Sequence, residues 1–270
     1  MMKMLFVVIA MLSGPRTDGI ETAGNVRLQA GRAPEHPHIV FMIGEDEYHT
    51  WETLPAFAKK EIEPRGYRVT IVKEDGADKN NFPGLVDALR TADVLVLSTR
   101  RRTPPPDQLN AVRAYLAAGK PLVGIRTACH AFALRPNDPP LAKDRASWQE
   151  FDPEVLGGHY TNHYPAGPKT AITVAPGAAK HAVLKDVRVD ALTGNGSLYM
   201  VSPLAATVTP LLIGTIPGEA PEPIAWTHEY GPKHARVFYT SLGHPDDFQN
   251  AEFRRVLVNG IRWALKEITP

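Results

Sequence analysis

Five residues of this chain combine a titratable or cationic side chain with a position beside a predicted strand end or in a long loop: His49, Arg126, His130, His163 and His244. Imidazole suits proton transfer because its pKa lies near neutrality. Arginine suits the stabilisation of an oxyanion because it is permanently charged and rich in hydrogen-bond donors. These residue types therefore predict acid–base chemistry next to a carbonyl, in which a base removes the α-proton and a cation stabilises the enolate.

Arg126 lies where a cysteine nucleophile would be expected. In class I glutamine amidotransferases the nucleophile occupies a sharp turn just after a strand-ending glycine. Here the run Gly124-Ile125-Arg126 puts an arginine at that point, and Cys129 follows it. We interpret Cys129 as a small packed hydrophobic residue. The alternative is a reactive thiol whose pKa is lowered by a helix N-terminus and by His130.

Metal binding is a second possible use of the loop histidines, since imidazole is a common zinc ligand and catalytic zinc sites use three protein ligands. His159 and His163 have the spacing of a helical ligand pair, but Gly157, Gly158 and the prolines that follow do not favour a helix there. The sequence therefore leaves metal content open, with zinc as the divalent metal to consider.

The scaffold that would position these residues is predicted from hydrophobic periodicity. Residues 38–43 form a continuous apolar run stopped by Gly44, as expected for a buried parallel strand. Three further strands are predicted at 67–72, 93–98 and 121–125, and helical patterns alternate with them. This alternation predicts an α/β fold with a doubly wound parallel sheet, flavodoxin-like or glutamine amidotransferase-like. Ligands bind such sheets outside the carboxyl ends of the strands.

The second half of the chain has a different rhythm. Residues 131–168 are rich in proline, glycine, histidine and aromatic residues without a clear period, which indicates long functional loops. Shorter strands are predicted at 171–174, 210–216, 224–227 and 236–240, and an amphipathic helix at 253–268. Without a repeat or a second domain, residues 35–270 are predicted to form a single domain with extra strands.

Residues 1–34 are interpreted as a signal peptide and a linker. Lys3 precedes a short apolar run that ends at Ser13-Gly14-Pro15. The run is too short to span a bilayer. Because a positive charge followed by a short apolar run is typical of a secretory signal, we expect a periplasmic or secreted protein, with the cytoplasm as the alternative. A net charge of +1, from 30 basic and 29 acidic residues, does not favour nucleic acid as a partner.

Four segments resemble motifs of the ThuA-like (trehalose utilisation) family. They are residues 47–50, 124–132, 156–160 with His163, and 242–248, and the resemblance extends over about residues 38–265. The resemblance implies a glutamine amidotransferase-like sheet that has lost its catalytic cysteine. It also implies a link to sugar catabolism, particularly to 3-keto derivatives of disaccharides such as trehalose.

For a sugar substrate the candidate residues take the following roles. Arg126 and His130 would bind the oxygen that gains charge, while His244 or His49 would transfer protons. His163 is a further catalytic candidate in the mid-chain loop, and His159 competes with it. The candidate substrate-binding residues include aromatic side chains that could stack on a sugar face; they are Glu45, Tyr48, Trp51, Arg101, Trp148, His159 and Tyr160.

The leading hypothesis is an enzyme that acts on a glycoside or 3-keto-glycoside by hydrolysis, elimination or isomerisation. Its partner would be a small-molecule sugar, and a homo-oligomer is compatible with the sequence. A non-catalytic carbohydrate-binding or accessory module is the alternative, because a chain without the nucleophile could also descend from an enzyme that has lost its activity. An amidotransferase would require Cys129 and His244 within hydrogen-bond reach. Phosphate binding through residues 100–102 would lack a glycine-rich loop.

Overall fold

The apolar runs that begin near residues 38, 94 and 122 form buried strands in the computed structural model, which describes residues 36–269. The predicted signal peptide and linker lie outside the described residues. In chain order the strands are β1 (His38–Gly44), β2 (Arg68–Lys73), β3 (Val94–Thr99), β4 (Leu122–Ile125), β5 (Asn162–His163), β6 (Thr170–Val174), β7 (Thr193–Gly194), β8 (Tyr199–Met200), β9 (Thr209–Thr215), β10 (Glu222–Tyr230) and β11 (Ala235–Thr240). The α-helices are α1 (Thr50–Phe57), α2 (Leu85–Thr91), α3 (Pro106–Ala117) and α4 (Ala251–Ala264).

Nine of these strands form one mixed sheet in the order β2-β1-β3-β4-β11-β10-β9-β6-β7. Neighbouring strands are parallel from β2 to β11 and antiparallel from β11 to β7. The predicted α/β fold with extra strands is therefore confirmed. The extra strands extend the parallel sheet, because β11 pairs in parallel with β4 and the antiparallel strands then continue from β11.

Side chains alternate between two packed faces, as expected for a buried strand with period two. In β1, Ile39 and Phe41 belong to the core that includes α1 and α4, whereas Val40 and Met42 belong to the core that includes α2 and α3. Burying a side chain of this size contributes about 1.5–3 kcal/mol. Helices thus cover both faces of the sheet, which confirms the doubly wound arrangement.

The irregular part of the chain contributes a short ribbon and long loops. Strands β5 and β8 pair as a separate two-stranded antiparallel ribbon, in which His163 lies opposite Tyr199. The C-terminal helix ends at Ala264, four residues before the predicted end, and Lys266 has a φ of 64°. Between residues 36 and 269, no helix is both long and apolar enough to cross a membrane.

Candidate functional site

Three loops meet at the carboxyl ends of the parallel strands. In the loop after β3, the backbone N–H of Arg100 donates to the carbonyl of Gly44 at 2.8 Å, and that of Arg101 donates to the carbonyl of His130 at 3.0 Å. These bonds tie the loop after β3 to β1 and to the 3₁₀ turn Arg126–His130 after β4. The loops therefore share one edge of the sheet, as the sequence predicts.

Each of these loops contains a non-glycine residue with a left-handed backbone. The φ angles are 50° at His49, 51° at Arg101 and 44° at Arg126. A left-handed conformation costs a residue with a Cβ roughly 1–2 kcal/mol. Such strain is concentrated at functional sites, where the surrounding structure enforces it. Three of the six such residues between positions 36 and 269 thus lie in the loops at this edge of the sheet.

A cavity of about 200 Å³ opens between these loops and the β5–β8 ribbon. Its walls carry three guanidinium groups and one carboxylate. The lining residues are Glu47, Tyr48, Arg100, Arg101, His130, Arg135, Tyr160, Thr161, Asn162, His163 and Tyr199.

The charges in this cavity do not balance. Arg100 pairs with Glu47 at 3.0 Å between Nε and Oε2. Within the described part of the chain, Arg101 and Arg135 have no carboxylate within 4.0 Å. Arg101 uses one nitrogen to donate to the carbonyl of Ala133 at 3.1 Å, and burial lowers its pKa. Two guanidinium charges thus remain without a counter-ion, and the cavity favours an anion or an oxygen that gains negative charge.

His130 lies at the inner end of the cavity, with only 4% of its surface exposed. Its ring lies 4.5 Å from that of Tyr160, centre to centre. Burial lowers the pKa of His130 well below its usual value, and the positive charges of Arg101, Arg100 and Arg126 reinforce the effect. The imidazole is therefore neutral at neutral pH, and it can act as a neutral hydrogen-bonding group.

His163 lines the same cavity from the ribbon and is exposed to solvent. Its Nδ1 lies 2.9 Å from the backbone carbonyl oxygen of Tyr164. Because a carbonyl can only accept a hydrogen bond, the proton of the neutral imidazole lies on Nδ1. Nε2 is then left unprotonated, which is the form that a general base requires.

Arg126 lies beneath the cavity and is only 2% exposed. Its guanidinium donates to the carbonyl of Ser241 at 2.6 Å and to the hydroxyl of Tyr48 at 3.1 Å. The guanidinium carbon lies 4.1 Å from the centre of the Tyr48 ring and 4.6 Å from that of Tyr199. These two tyrosines line the cavity and Arg126 does not. We therefore correct its predicted role from direct contact with substrate to support of the cavity floor.

Gly196 is the residue that admits the Arg126 side chain. A Cβ at position 196 would lie 2.3 Å from Nη2 of Arg126, which is too close for any side chain. Ser197 follows, and its hydroxyl accepts from the same nitrogen at 3.3 Å. In the sequence this segment predicts only a turn, because the approach of the arginine involves residues that are 70 positions away.

Cys129 is buried next to His130, with its Sγ 3.2 Å from Nδ1 of the imidazole. Burial raises the pKa of the thiol well above its usual value, and the charge of Asp152 adds to the effect. The thiol is therefore protonated at neutral pH and lacks the reactivity of a nucleophile. The Nδ1 of His244 instead accepts from the backbone N–H of Asp246 at 3.2 Å. The structure therefore favours Cys129 as a packed, unreactive residue over Cys129 as the nucleophile of an amidotransferase.

Asp152 fixes the position of Tyr160 on the cavity wall. Its Oδ2 accepts a hydrogen bond from the backbone N–H of Tyr160 at 2.6 Å, while its Oδ1 has no partner in the described structure. Burial raises the pKa of Asp152 to about 7 and that of Tyr160 to about 12. Tyr160 is thus a neutral phenol that stacks on His130.

Three candidate histidines lie outside this cavity. The ring of His49 packs 4.7 Å from that of Trp51, which borders a neighbouring cavity of about 290 Å³. His244 caps the 3₁₀ helix Pro245–Gln249, and its ring lies 6.3 Å from that of Tyr48. His159 is exposed. Of the four catalytic histidines proposed from sequence, the structure brings together His130 and His163.

Two candidate substrate-binding residues have structural roles instead. The buried carboxylate of Glu45 accepts hydrogen bonds from the backbone N–H groups of Glu47, Tyr48 and Thr50 and from the Thr50 hydroxyl, all at 2.6–2.7 Å. It therefore shapes the loop after β1. Trp148 is 5% exposed and stacks under Arg113, whose guanidinium carbon lies 3.9 Å from its ring centre. We correct both assignments accordingly.

Several lining residues were not singled out as site residues from the sequence: Glu47, Arg100, Arg135, Thr161, Asn162 and Tyr199. Glu47 and Arg100 lie in segments that were recognised, so their strand-end position was an available signal. Arg135 and Tyr199 lie in aperiodic stretches that carry none. Within residues 36–269 there is no group of three His, Cys, Asp or Glu side chains close enough to hold a metal ion.

Solved structures share this fold. A ThuA-like protein from Bacteroides uniformis has a TM-score of 0.63 and 19% identity, and the match covers 91% of this chain and 95% of that one. A ThuA-like protein from Parabacteroides merdae has a TM-score of 0.58 and 16% identity, and the match covers 87% of this chain and 92% of that one. The β-galactosidase of Bacillus circulans has a TM-score of 0.54 and 10% identity, and the match covers 87% of this chain and 32% of that one. At these identities the likeness concerns the fold.

Two sequence comparisons complete the assignment. No protein of curated function matches the chain. The family model ThuA, described as trehalose utilisation, matches residues 40–264, which include every strand-end loop of the site and nearly the whole sheet. The chain therefore belongs to the ThuA family.

Proposed function

We propose that this protein is an enzyme of sugar metabolism that removes the proton next to the ketone of a 3-keto-glycoside. The trehalose-utilisation description of its family supports a sugar as substrate. The observation that carries the proposal is that His163 faces the same cavity as Arg101 and neutral His130. A base and a group of oxyanion-stabilising donors are the two parts that this chemistry needs.

His163 is the general base in this proposal. The hydrogen bond between its Nδ1 and the Tyr164 carbonyl leaves Nε2 free to accept a proton. Nε2 takes the proton from C2, and the C–H electrons form the C2–C3 double bond of an enolate. The enolate then expels the oxygen on C1, which takes up the proton that His163 holds. This elimination, followed by addition of water, gives net hydrolysis. Isomerisation to the 2-ketone requires instead that His163 delivers the proton to C3 while the proton of the C2 hydroxyl moves to the oxygen on C3.

Arg101 and His130 stabilise the enolate oxygen. Arg101 supplies a permanent charge. Its guanidinium is partly buried, and electrostatic interactions are stronger in the protein interior than in water. His130 contributes as a neutral imidazole, because burial lowers its pKa and the surrounding arginines lower it further. A neutral histidine can donate to an oxygen that gains charge, as in the known case of triosephosphate isomerase.

Arg126 is a positioning residue. It holds the hydroxyl of Tyr48, which in turn donates to Oε1 of Glu47 at 3.0 Å. Glu47 pairs with Arg100 at the cavity wall. The buried cation therefore fixes a chain of polar groups that ends in the cavity. The cavity of about 200 Å³ is smaller than the roughly 300–1,000 Å³ of typical ligand sites, so it suits one sugar ring.

The proposal is tested by incubating the protein with 3-keto-glucosides and 3-keto-trehalose and identifying the products by mass spectrometry. We expect turnover by the wild type and by His159→Ala, an exposed histidine outside the cavity, and its loss in His163→Ala. Parallel reactions with a chelator test for a metal. Unchanged substrate with the wild type across the panel would contradict the proposal and would favour a carbohydrate-binding module. Export and a homo-oligomeric state remain predictions.

A further inference from the structure

The strongest unexplained feature of the cavity is its surplus of positive charge. Of its three arginines, Arg100 is neutralised by Glu47. Arg101 and Arg135 both line this cavity. Burial lowers the pKa of Arg101, and the charge of Arg135 is the next largest cause. Two neighbouring guanidinium groups repel each other, and bringing them together is costly unless an anion joins them. A neutral sugar has no group that would do so.

Within the described residues, no carboxylate of the protein pairs directly with either guanidinium. Asp138 is near enough for its charge to favour the Arg101 cation, but its Oδ2 accepts from the backbone N–H of Arg135 at 2.7 Å rather than from a guanidinium. The other polar groups at the mouth, Thr161 and Asn162, are neutral. Beneath the floor, Arg126 adds a further buried cation that has no carboxylate partner among the described residues. Among the residues that line the cavity, three arginines therefore face a single carboxylate, that of Glu47.

We infer that the substrate of this site carries an anionic group, a carboxylate or a phosphate ester, which Arg101 and Arg135 bind together. This inference rests on the proposed function, and it narrows the substrate class from sugars to acidic sugars. A planar carboxylate matches the fork of an arginine in two parallel hydrogen bonds. The backbone N–H of Arg101 donates to the carbonyl of His130, and Arg101, His130 and Arg135 line the same cavity, so the anionic group would be held close to the reacting carbon.

The experiment measures binding, independently of turnover. The full chain is titrated at low ionic strength with sodium glucuronate, with its neutral methyl ester, with glucose 6-phosphate and with glucose. We expect glucuronate to bind at least about tenfold more tightly than its methyl ester, the difference that one charge-assisted contact can supply. Tighter binding of glucose 6-phosphate than of glucuronate would identify phosphate as the anionic group; the reverse would identify carboxylate.

Variants locate the site. Arg135→Gln should weaken glucuronate binding by about tenfold and leave binding of the methyl ester unchanged. Arg90→Gln, which removes an exposed arginine on α2 outside the cavity, is the matched control and should bind like the wild type. Equal affinity for glucuronate and its methyl ester, or an unchanged affinity in Arg135→Gln, would overturn the inference.

The two proposals can fail separately. Turnover of neutral 3-keto-glucosides without any preference for acidic sugars would uphold the proposed function and overturn the acidic-sugar inference. Selective binding of the acidic sugars, lost in Arg135→Gln, would uphold the anionic class even if no 3-keto-glycoside were converted.

Discussion

The guanidinium of Arg126 lies against the ring of Tyr48, 4.1 Å from its centre, and donates a hydrogen bond to the hydroxyl of the same tyrosine at 3.1 Å. One residue thus contacts both the face and the polar tip of the other. Tyr48 lines the cavity, so the position where amidotransferases have a nucleophile serves here to hold a cavity wall in place. Arg126 itself does not line the cavity, and it contacts the cavity wall through Tyr48 and Tyr199.

Arg126→Ala should therefore lower the stability of the fold as well as its activity. The substitution leaves the buried carbonyl of Ser241 without a donor and opens a cavity between the rings of Tyr48 and Tyr199. We expect a loss of about 3 kcal/mol in the free energy of unfolding, measured by urea denaturation. Arg126→Lys, which keeps a cation, should lose less. An unfolding free energy equal to that of the wild type in Arg126→Ala would show that the side chain does not support the floor.

Cys129→Ala should keep the turnover of the wild type. The thiol is buried and its pKa is raised, so the nucleophilic thiolate is not populated at neutral pH. Iodoacetamide should leave the native protein unmodified and label it once in urea, which serves as the control for reagent activity. Rapid labelling of the native protein together with loss of turnover in Cys129→Ala would restore the cysteine mechanism.

The stability of the protein should fall with rising pH because of Asp152. Burial raises its pKa to about 7 in the folded state, whereas an unfolded aspartate titrates near about 4. The folded state therefore binds this proton more tightly, and the stability linked to it is lost as pH rises from about 4 through about 7. The hydrogen bond from the backbone N–H of Tyr160 can be accepted by the side-chain oxygen of either Asp or Asn. Asp152→Asn should therefore keep this bond and remove the pH dependence of stability that Asp152 causes.

The measurement compares urea unfolding of the wild type and Asp152→Asn at several pH values. Between about pH 5 and pH 8 the wild type should lose about 2 kcal/mol relative to the variant. Asp87→Asn, which changes an exposed aspartate on α2, should follow the wild type at every pH. Parallel stability curves for the wild type and Asp152→Asn would rule out a buried titrating carboxyl at this position.

Glu45→Gln should disorganise the loop after β1. The carboxylate accepts four hydrogen bonds, from the backbone N–H groups of Glu47, Tyr48 and Thr50 and from the Thr50 hydroxyl. In glutamine an NH₂ group replaces one of the two acceptor oxygens and would face groups that also donate. We expect a loss of about 3 kcal/mol in unfolding free energy, since hydrogen bonds to a buried charge are the stronger kind. Glu52→Gln, on the exposed side of α1, should change it little. Equal stability of the two variants would mean that Glu45 is free for a ligand.

The fold could be predicted from sequence where burial imposes a period. Strands such as β1 and β4 are continuous apolar runs, and the helices between them alternate polar and apolar residues at helical spacing. The ribbon of β5 and β8 has two residues in each strand, too few for any period to appear. The place of β11 beside β4 depends on a pairing more than 100 residues apart along the chain, which local pattern does not encode.

The site could be predicted only in part. Arg101, His130 and Tyr160 could be found because they lie close to strand ends or in a recognised motif. Residue type alone could not separate a stacking aromatic from a core aromatic, and Trp148 belongs to the core. Arg135 could not be found because nothing in its own segment marks it; it becomes significant because it lines the same cavity as Arg101 in the folded chain.

The proposed function depends on removal of the proton next to the ketone, and deuterium exchange detects that step. The wild type is incubated in D₂O with a 3-keto-glucoside, and the label at C2 of recovered substrate and product is read by mass spectrometry and NMR. We expect the wild type and His159→Ala to introduce deuterium at C2 and His163→Ala to introduce none. Conversion of the substrate without exchange at C2 in the substrate and without loss of the C2 proton in the product would contradict the proposed function.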